Sequence, residues 1–229
     1  MTNKLSITSA VKEYQKVPKK ALVADPWEIF WDYKCGVEKK GESIFSEKNI
    51  SFTSMHLLIY LCCFGMARSK TGLAYTNLNS FTSTVLHIKE EIVKLNGITF
   101  EQLDESHRQI VNSCYEKISD ELTKESAEKE RISGSITMVT KILMACWGHT
   151  PAFDRFFEVT YKELREELGW KRGDDYFDCL LTLKKGYEEY WKNEIDALEA
   201  PYTKTIGGNN IPNARLIDMA FWIRGNESE

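Results

Sequence analysis

The 229-residue chain lacks the residue patterns of several common functional classes. No two of its six cysteines form a C-x-x-C pair, and its four histidines are scattered along the chain, which argues against a metal site. It has no Gly-x-x-x-x-Gly-Lys phosphate loop, no dinucleotide-binding fingerprint and no nucleophile elbow. We therefore expect neither a metal nor an organic cofactor.

Long apolar runs are also missing. The most hydrophobic stretch, from Met55 to Ala67, has about 13 residues, short of the roughly 20 that span a bilayer. The N-terminal segment has no apolar core of signal-peptide length. Cysteines within apolar runs are typical of free thiols in a reducing compartment. We therefore expect a cytoplasmic protein without a membrane partner.

Neither sign of charge dominates the sequence. The chain has 30 Lys and Arg and 34 Asp and Glu, which gives a formal net charge of −4. No global positive field therefore attracts nucleic acid. Hydrophobic residues make up 42% of the chain and charged residues 28%, as in an ordinary globular protein. A DNA-binding function would therefore depend on a local basic face.

Alternating strand patterns and internal repeats are absent, whereas helical signals recur. Asp25-Pro26-Trp27-Glu28 combines an N-cap carboxylate, a proline at the first helical position and an acidic first turn. Apolar residues return at helical spacing along the chain, and we expect glycines to end these stretches at Gly36, Gly97, Gly148 and Gly169. We predict an all-α, globular multi-helix protein of about eight or nine helices.

The distribution of polar residues predicts the domain organisation. Residues 1–24 are polar and basic, which predicts a flexible N-terminal arm before a single all-α domain over residues 25–229. The charged tract near residues 120–131 divides this domain into two candidate lobes, residues 25–125 and 132–229, with a cleft between them.

One lysine stands out within a predicted buried helix. Between Arg131 and His149 only Lys141 carries a full charge. Burying an unpaired ammonium is costly, so Lys141 must be neutralised, paired or used. Its amine either reaches the surface or pairs with a carboxylate in a structural role, or it acts as a Schiff-base nucleophile in a cleft. Asp154 is the nearest acidic candidate in sequence.

Asp154 has a structural explanation of its own. Thr150-Pro151 predicts the start of a short helix, and a carboxylate in its first turn is favoured by the helix dipole. A capping box at residues 160–163 predicts a separate helix after it. Asp218 is a further buried acidic candidate, with three alternative partners: Arg68, Lys141 or Arg155.

Four other residues complete a candidate nucleic-acid-binding or ligand-binding set. Arg68 ends an apolar helix, where it suits either phosphate contact or the helix dipole. Trp147 and His149 flank a helix break and suit base stacking, although a buried Trp more often belongs to a core. Arg155 suits a phosphate contact or a salt bridge.

The order of these parts resembles the helix-hairpin-helix DNA glycosylases. A small-residue turn, Ser133-Gly134-Ser135, precedes the helix of Lys141, and Asp154 opens a later helix. Only Gly134 stands where those enzymes carry paired glycines. In them a lysine attacks the sugar and an aspartate assists. The resemblance implies these roles for Lys141 and Asp154 in an all-α, two-lobed enzyme.

Two sequence blocks also resemble a set of uncharacterised bacterial proteins. Those proteins carry a Trp-Gly-Met-x-Arg block and a later Thr-Lys-Ile-Leu…Pro-Ala-aromatic-Asp-Arg-x-Phe block. This chain has Phe64-Gly65-Met66-Ala67-Arg68, then Thr140-Lys141-Ile142-Leu143 and Pro151-Ala152-Phe153-Asp154-Arg155-Phe156-Phe157. The resemblance implies a shared helical architecture without naming a reaction.

Two functional hypotheses follow. The first is a DNA-acting, glycosylase-like enzyme that flips a base into a cleft. Lys141 would be its nucleophile or electrostatic aid, and Asp154 would stabilise the sugar cation or activate the attacking group. The alternative is a non-enzymatic helical module that binds a protein partner, in a bacterial stress or phage-defence system, with a structural Lys141–Asp154 pair. The six Trp, ten Tyr and eleven Phe suit both a large core and an interface.

Overall fold

A computed structural model describes residues 5–17, 25–66, 77–127, 136–171 and 173–227 of the chain, apart from the side chains of residues 124–127. These residues form helices, with a single antiparallel bridge between Lys204 and Asn210 and no β-strand, which confirms the all-α prediction. No helix in these ranges combines the length and apolar character needed to cross a membrane. The α-helices are α1 (Ile7–Lys16), α2 (Pro26–Glu38), α3 (Ile50–Cys63), α4 (Leu78–Lys94), α5 (Arg108–Ala127), α6 (Ile136–Cys146), α7 (Arg155–Leu168), α8 (Tyr176–Gly186), α9 (Lys192–Asp196) and α10 (Asn213–Glu227).

The helices are grouped into two compact units, each built from separated segments of the chain. Unit 1 comprises Met1–Pro18, Gly97–Asn112 and Gly148–Glu229, and unit 2 comprises Lys19–Asn96 and Ser113–Trp147. Helix α5 contributes residues to both units. These segments do not follow the division into 25–125 and 132–229 that the charged tract suggested, because the chain enters each unit more than once.

The N-terminal segment contains a helix where the sequence analysis expected a flexible arm. Ser6 caps α1 by accepting a hydrogen bond from the backbone N–H of Ser9 at 3.4 Å. Lysines near the apolar residues of α1 lower the mean hydropathy of this segment, so it does not stand out as a hydrophobic run. The expectation of an arm is therefore wrong for residues 5–17. The buried stripe follows the i, i+3, i+4, i+7 spacing of an amphipathic helix: Ile7, Ala10, Val11 and Tyr14.

Unit 1 packs α1 and α7 against α10, and α1 also against α9. Glu194 in α9 accepts hydrogen bonds from the Ser6 hydroxyl at 2.9 Å and from the Thr8 backbone N–H at 3.2 Å. This carboxylate satisfies donors at the start of α1, which have no partner within their own helix. A π-helical turn, Tyr187–Trp191, joins α8 to α9.

The chain between Gly148 and Gly169 forms one helix rather than the two that were predicted. Residues 151–154 are not helical, and α7 then runs unbroken to Leu168. Thr160, predicted to cap a second helix, is fully buried, and its hydroxyl donates to the backbone oxygen of Phe221 in α10 at 2.8 Å. Packing against α10 thus places Thr160 inside α7. Gly169 ends the helix at φ 65°, as predicted.

Unit 2 is built from α2, α3, α4, α6 and the later part of α5. Asp25 caps α2 by accepting a hydrogen bond from the Trp27 backbone N–H at 2.8 Å, with Pro26 in the first turn, as predicted. The Trp27 indole stacks on Trp31 at 5.3 Å and donates to the backbone oxygen of Met144 in α6 at 3.0 Å. These contacts fix α2 against α6.

Candidate functional site

Lys141 lies in the middle of α6 and is buried. Its side chain is 3% exposed, and every residue from Met138 to Cys146 is buried with it. The ammonium lies 4.1 Å from the centroid of the Phe64 ring, a cation–π contact. An aromatic face offsets part of the cost of burying a cation. This aromatic contact differs from both arrangements that were expected for a structural lysine, a surface position and a pair with a carboxylate.

Asp154 is the N-cap of α7 rather than a residue of its first turn. One oxygen, Oδ1, accepts hydrogen bonds from the backbone N–H groups of Phe156 and Phe157, both at 3.1 Å. A cap of this kind satisfies donors that the helix itself leaves without a partner. Asp154 belongs to unit 1 and Lys141 to unit 2, so neither unit contains both members of the predicted catalytic pair.

The remaining predicted site residues are divided in the same way. Trp147 is buried in unit 2, where it has the core role usual for a tryptophan. His149 is half-buried in unit 1, directly after Gly148 at φ 85°. Arg155 is exposed in unit 1 and places its guanidinium 4.4 Å from the Phe156 ring centroid. Arg68 and the Ser133-Gly134-Ser135 turn lie outside the described residues.

Asp218 pairs with a cation that the sequence analysis overlooked. Arg215, only 1% exposed, forms an ion pair with Asp218 and donates a hydrogen bond to the Tyr14 hydroxyl at 2.8 Å. Asp218 also accepts from the backbone N–H of Ala152 at 2.8 Å. The i, i+3 spacing of the pair was the available sequence signal. This buried pair joins α10 to α1 and to the segment that leads into α7.

A second ionic cluster ties the start of α5 to α8 within unit 1. Arg108 contacts Asp175 and Asp178 at 2.6 Å each, and the hydrogen bond from Arg108 holds the pKa of Asp178 below its usual value. Asp175 also caps α8 by accepting from the Asp178 backbone N–H at 2.8 Å. The described residues include no group of His, Cys, Asp and Glu arranged to hold a metal ion. We assign this cluster a structural role.

Helix α3 in unit 2 is apolar on two sides. One side is buried against the unit, through Thr53, Ser54, Leu57, Tyr60 and Leu61. The opposite side is uncharged and largely exposed: Phe52 is 53% and Ile59 54% exposed. The residues on this side recur at intervals of three, four and seven along the sequence, as on a surface where two helices pair. We call this side the α3 outer face and define it as Phe52, Met55, His56, Ile59, Cys62 and Cys63.

Aromatic contacts hold one end of the α3 outer face in place. Tyr33 of α2 stacks on His56, with ring centroids 4.5 Å apart and planes at 7°, and Phe52 packs against both rings. The Tyr33 hydroxyl also hydrogen-bonds Thr53 at 2.8 Å. Burial lowers the pKa of His56, so its imidazole is uncharged at neutral pH. The outer face is therefore ordered and free of charge.

Beside Tyr33, a cavity of about 360 Å³ opens between α2 and the segment before α3. Its lining carries both signs of charge: Asp32 and Glu42 face Lys40 and Lys48. Lys48 and Glu42 form an ion pair at 2.8 Å. Such a balanced lining creates no positive field for a phosphate backbone.

Comparisons of the chain with protein-family models, with curated proteins and with solved structures found no match. The two sequence resemblances therefore stay predictions.

Proposed function

We propose that this protein is a non-enzymatic, helical protein-interaction module that binds its partner through the α3 outer face. The observation that carries the proposal is the presence of two apolar sides on one helix. A helix that is apolar all round is normally enclosed by other elements. Here only one side is enclosed within unit 2, while Phe52 and Ile59 remain more than half exposed.

The chemistry of the face defines the partner. From Asn49 to Met66 the chain has no Asp, Glu, Lys or Arg. A charged partner surface would lose its hydration there without gaining a counter-charge. A face with anchors at i, i+3, i+4 and i+7 matches the apolar side of another helix. The partner is thus a protein that presents an uncharged, apolar helix.

A synthetic peptide tests this function directly. The probe is a fluorescently labelled amphipathic helix with leucine at the a and d positions, and its fluorescence anisotropy reports binding. We expect binding to the unaltered chain and at least a roughly tenfold weaker affinity for Ile59→Asp. Leu86→Asp, on the exposed side of α4 (41% exposed), is the matched control and should bind like the unaltered chain. Equal binding by all three proteins would refute the proposal.

The glycosylase-like activity predicted from Lys141 and Asp154 stays a prediction and has its own test. Borohydride trapping on abasic DNA would capture a Schiff base, and the adduct should disappear in Lys141→Ala. Measuring base release by the unaltered chain and by Asp154→Asn extends the test to an enzyme that forms no adduct. Absence of both adduct and base release removes this hypothesis. The balanced charge of the chain and the structural contacts of both residues favour the interaction module.

A further inference from the structure

We infer that the partner helix is α3 of a second copy of this chain, so that two copies pair antiparallel through the α3 outer face across a twofold axis at Ile59. This inference rests on the proposed function, because it names the occupant of the same surface. Closed twofold dimers are the commonest oligomers, and they require a surface that complements itself.

The gradient of side-chain size along the face makes it self-complementary in one direction. Its N-terminal end carries the large Phe52 and the long Met55, whereas its C-terminal end carries the small Cys62 and Cys63. In an antiparallel pair centred on Ile59, the longer Met55 and His56 of each copy lie opposite the small Cys63 and Cys62 of the other, while Phe52 lies at the outer end of the pair. A parallel pair would set Phe52 against Phe52 and leave a gap at the cysteines.

The absence of charge also fits a second copy. A residue close to the twofold axis lies near its own equivalent in the other copy, so a charge there would meet a like charge. The outer face carries none, and burial keeps His56 uncharged. With Ile59 on the axis, Met55 and His56 lie opposite Cys63 and Cys62 of the other copy. The pKa of the Cys62 thiol is raised by burial, so it stays a protonated, small apolar group.

The size of the face sets the strength of the dimer. Helix α3 has 14 residues, which corresponds to about 21 Å of length and about 10 Å of width. The area that such a face can bury is smaller than the roughly 800 Å² per partner of a standard stable interface. We therefore expect a weak dimer that forms only as the protein concentration rises.

Sedimentation velocity over a range of protein concentrations tests the inference. The unaltered chain should shift from monomer to dimer as concentration rises. Ile59→Asp should raise the dimer dissociation constant by roughly tenfold or more, because two carboxylates would meet at the axis. Leu86→Asp should dimerise like the unaltered chain. Circular dichroism confirms that each variant keeps its helices, as expected for substitutions at exposed positions.

Disulfide trapping tests the register. In a chain with Cys62→Ala and Cys63→Ala, the further change Ile59→Cys should give a covalent dimer on mild oxidation, because the two new thiols would face each other across the axis. Phe52→Cys in the same background should not, since the two equivalents would lie at opposite ends of the pair. Efficient trapping at position 52 with none at position 59 overturns the antiparallel arrangement.

The outcomes separate this inference from the proposed function. A chain that stays monomeric at every concentration but binds the leucine peptide through Ile59 overturns the second copy as partner and leaves the docking surface standing. A dimer that survives Ile59→Asp, in a chain that does not bind the peptide, overturns both. A dimer lost in Ile59→Asp and trapped at position 59 supports both.

Discussion

The two units use their polar and apolar residues differently. In unit 1 charged side chains link distant elements: Arg215 reaches Tyr14, and Arg224 reaches Glu163 and Glu167 of α7 at 3.1 and 2.7 Å. In unit 2 several of the ion pairs lie within one helix, such as Lys34 with Glu38 in α2. Conversely, seven of the eight large hydrophobic residues exposed in the described part of the chain belong to unit 2: Ile29, Phe52, Ile59, Leu78, Leu86, Val93 and Ile136.

This difference assigns the two units different tasks. Buried ionic contacts between elements tolerate few alternative arrangements, so the contacts inside unit 1 determine how its helices pack. Unit 2 leaves apolar surface uncovered, and within that surface the α3 outer face marks the proposed interaction site.

Asp218→Ala should cause the largest loss. It leaves the guanidinium of Arg215 buried without its carboxylate and removes the acceptor of the Ala152 N–H. We expect the free energy of unfolding to fall by about 3–5 kcal/mol, measured by urea unfolding followed by circular dichroism. Asp218→Asn is the matched control and should lose less, because its side-chain oxygen still accepts from Ala152. A loss below about 1 kcal/mol for Asp218→Ala would show that the ionic contact is dispensable.

Asp154→Ala should have a smaller effect in the same unit. Loss of the N-cap of α7 should lower the free energy of unfolding by about 1 kcal/mol. Asp154→Ser keeps a capping oxygen and should retain most of that stability. If Asp154→Ala and Asp154→Ser are equally stable, the cap contributes nothing and the carboxylate needs another explanation.

The capping role of Asp154 illustrates how far the sequence predicts this protein. Caps and helix-ending glycines depend on neighbours in the chain, so Asp25, Gly148 and Gly169 were correctly placed. The predicted helix end at Gly36 was wrong, because α2 continues to Glu38. The position of Thr160 depends on α10, more than fifty residues later, and was predicted wrongly. A run as apolar as α3 does not indicate which side faces the core, so the outer face could not be found from its pattern. Arg215 and Asp218 lie within one helix and were accessible to prediction, whereas their contacts to Tyr14 and Ala152 were not.

His56 should make the stability of unit 2 depend on pH. Its pKa is lowered by burial, so the folded state binds the proton less readily than the unfolded state does. With respect to this group, the folded state is therefore most stable above the unfolded pKa of about 6.5, where the imidazole is uncharged in both states. Its stability falls as pH drops below that value, because the unfolded state takes up the proton first. We expect the urea midpoint to drop more between neutral and mildly acidic pH in the unaltered chain than in His56→Phe, which keeps an aromatic ring against Tyr33. Equal drops would show that His56 is not the titrating group.

Ile59→Asp should have the smallest effect on the monomer. Because Ile59 is exposed, the free energy of unfolding at low concentration should change by less than about 0.5 kcal/mol. The same change should weaken self-association by roughly tenfold or more, so stability and assembly are affected separately. A large loss of monomer stability would mean that Ile59 belongs to the core of unit 2 and would erase the contrast between the units.

The contact between α7 and α10 restricts residue 225. A methyl group on Gly225 would overlap the backbone oxygen of Phe156, so the two helices lie as close there as a hydrogen atom permits. No rotamer change relieves such an overlap, because the obstructing atom belongs to the main chain. In a library of all substitutions at this site, only glycine should therefore support full accumulation of the protein in cells, although the residue touches no ligand and carries no chemistry of its own.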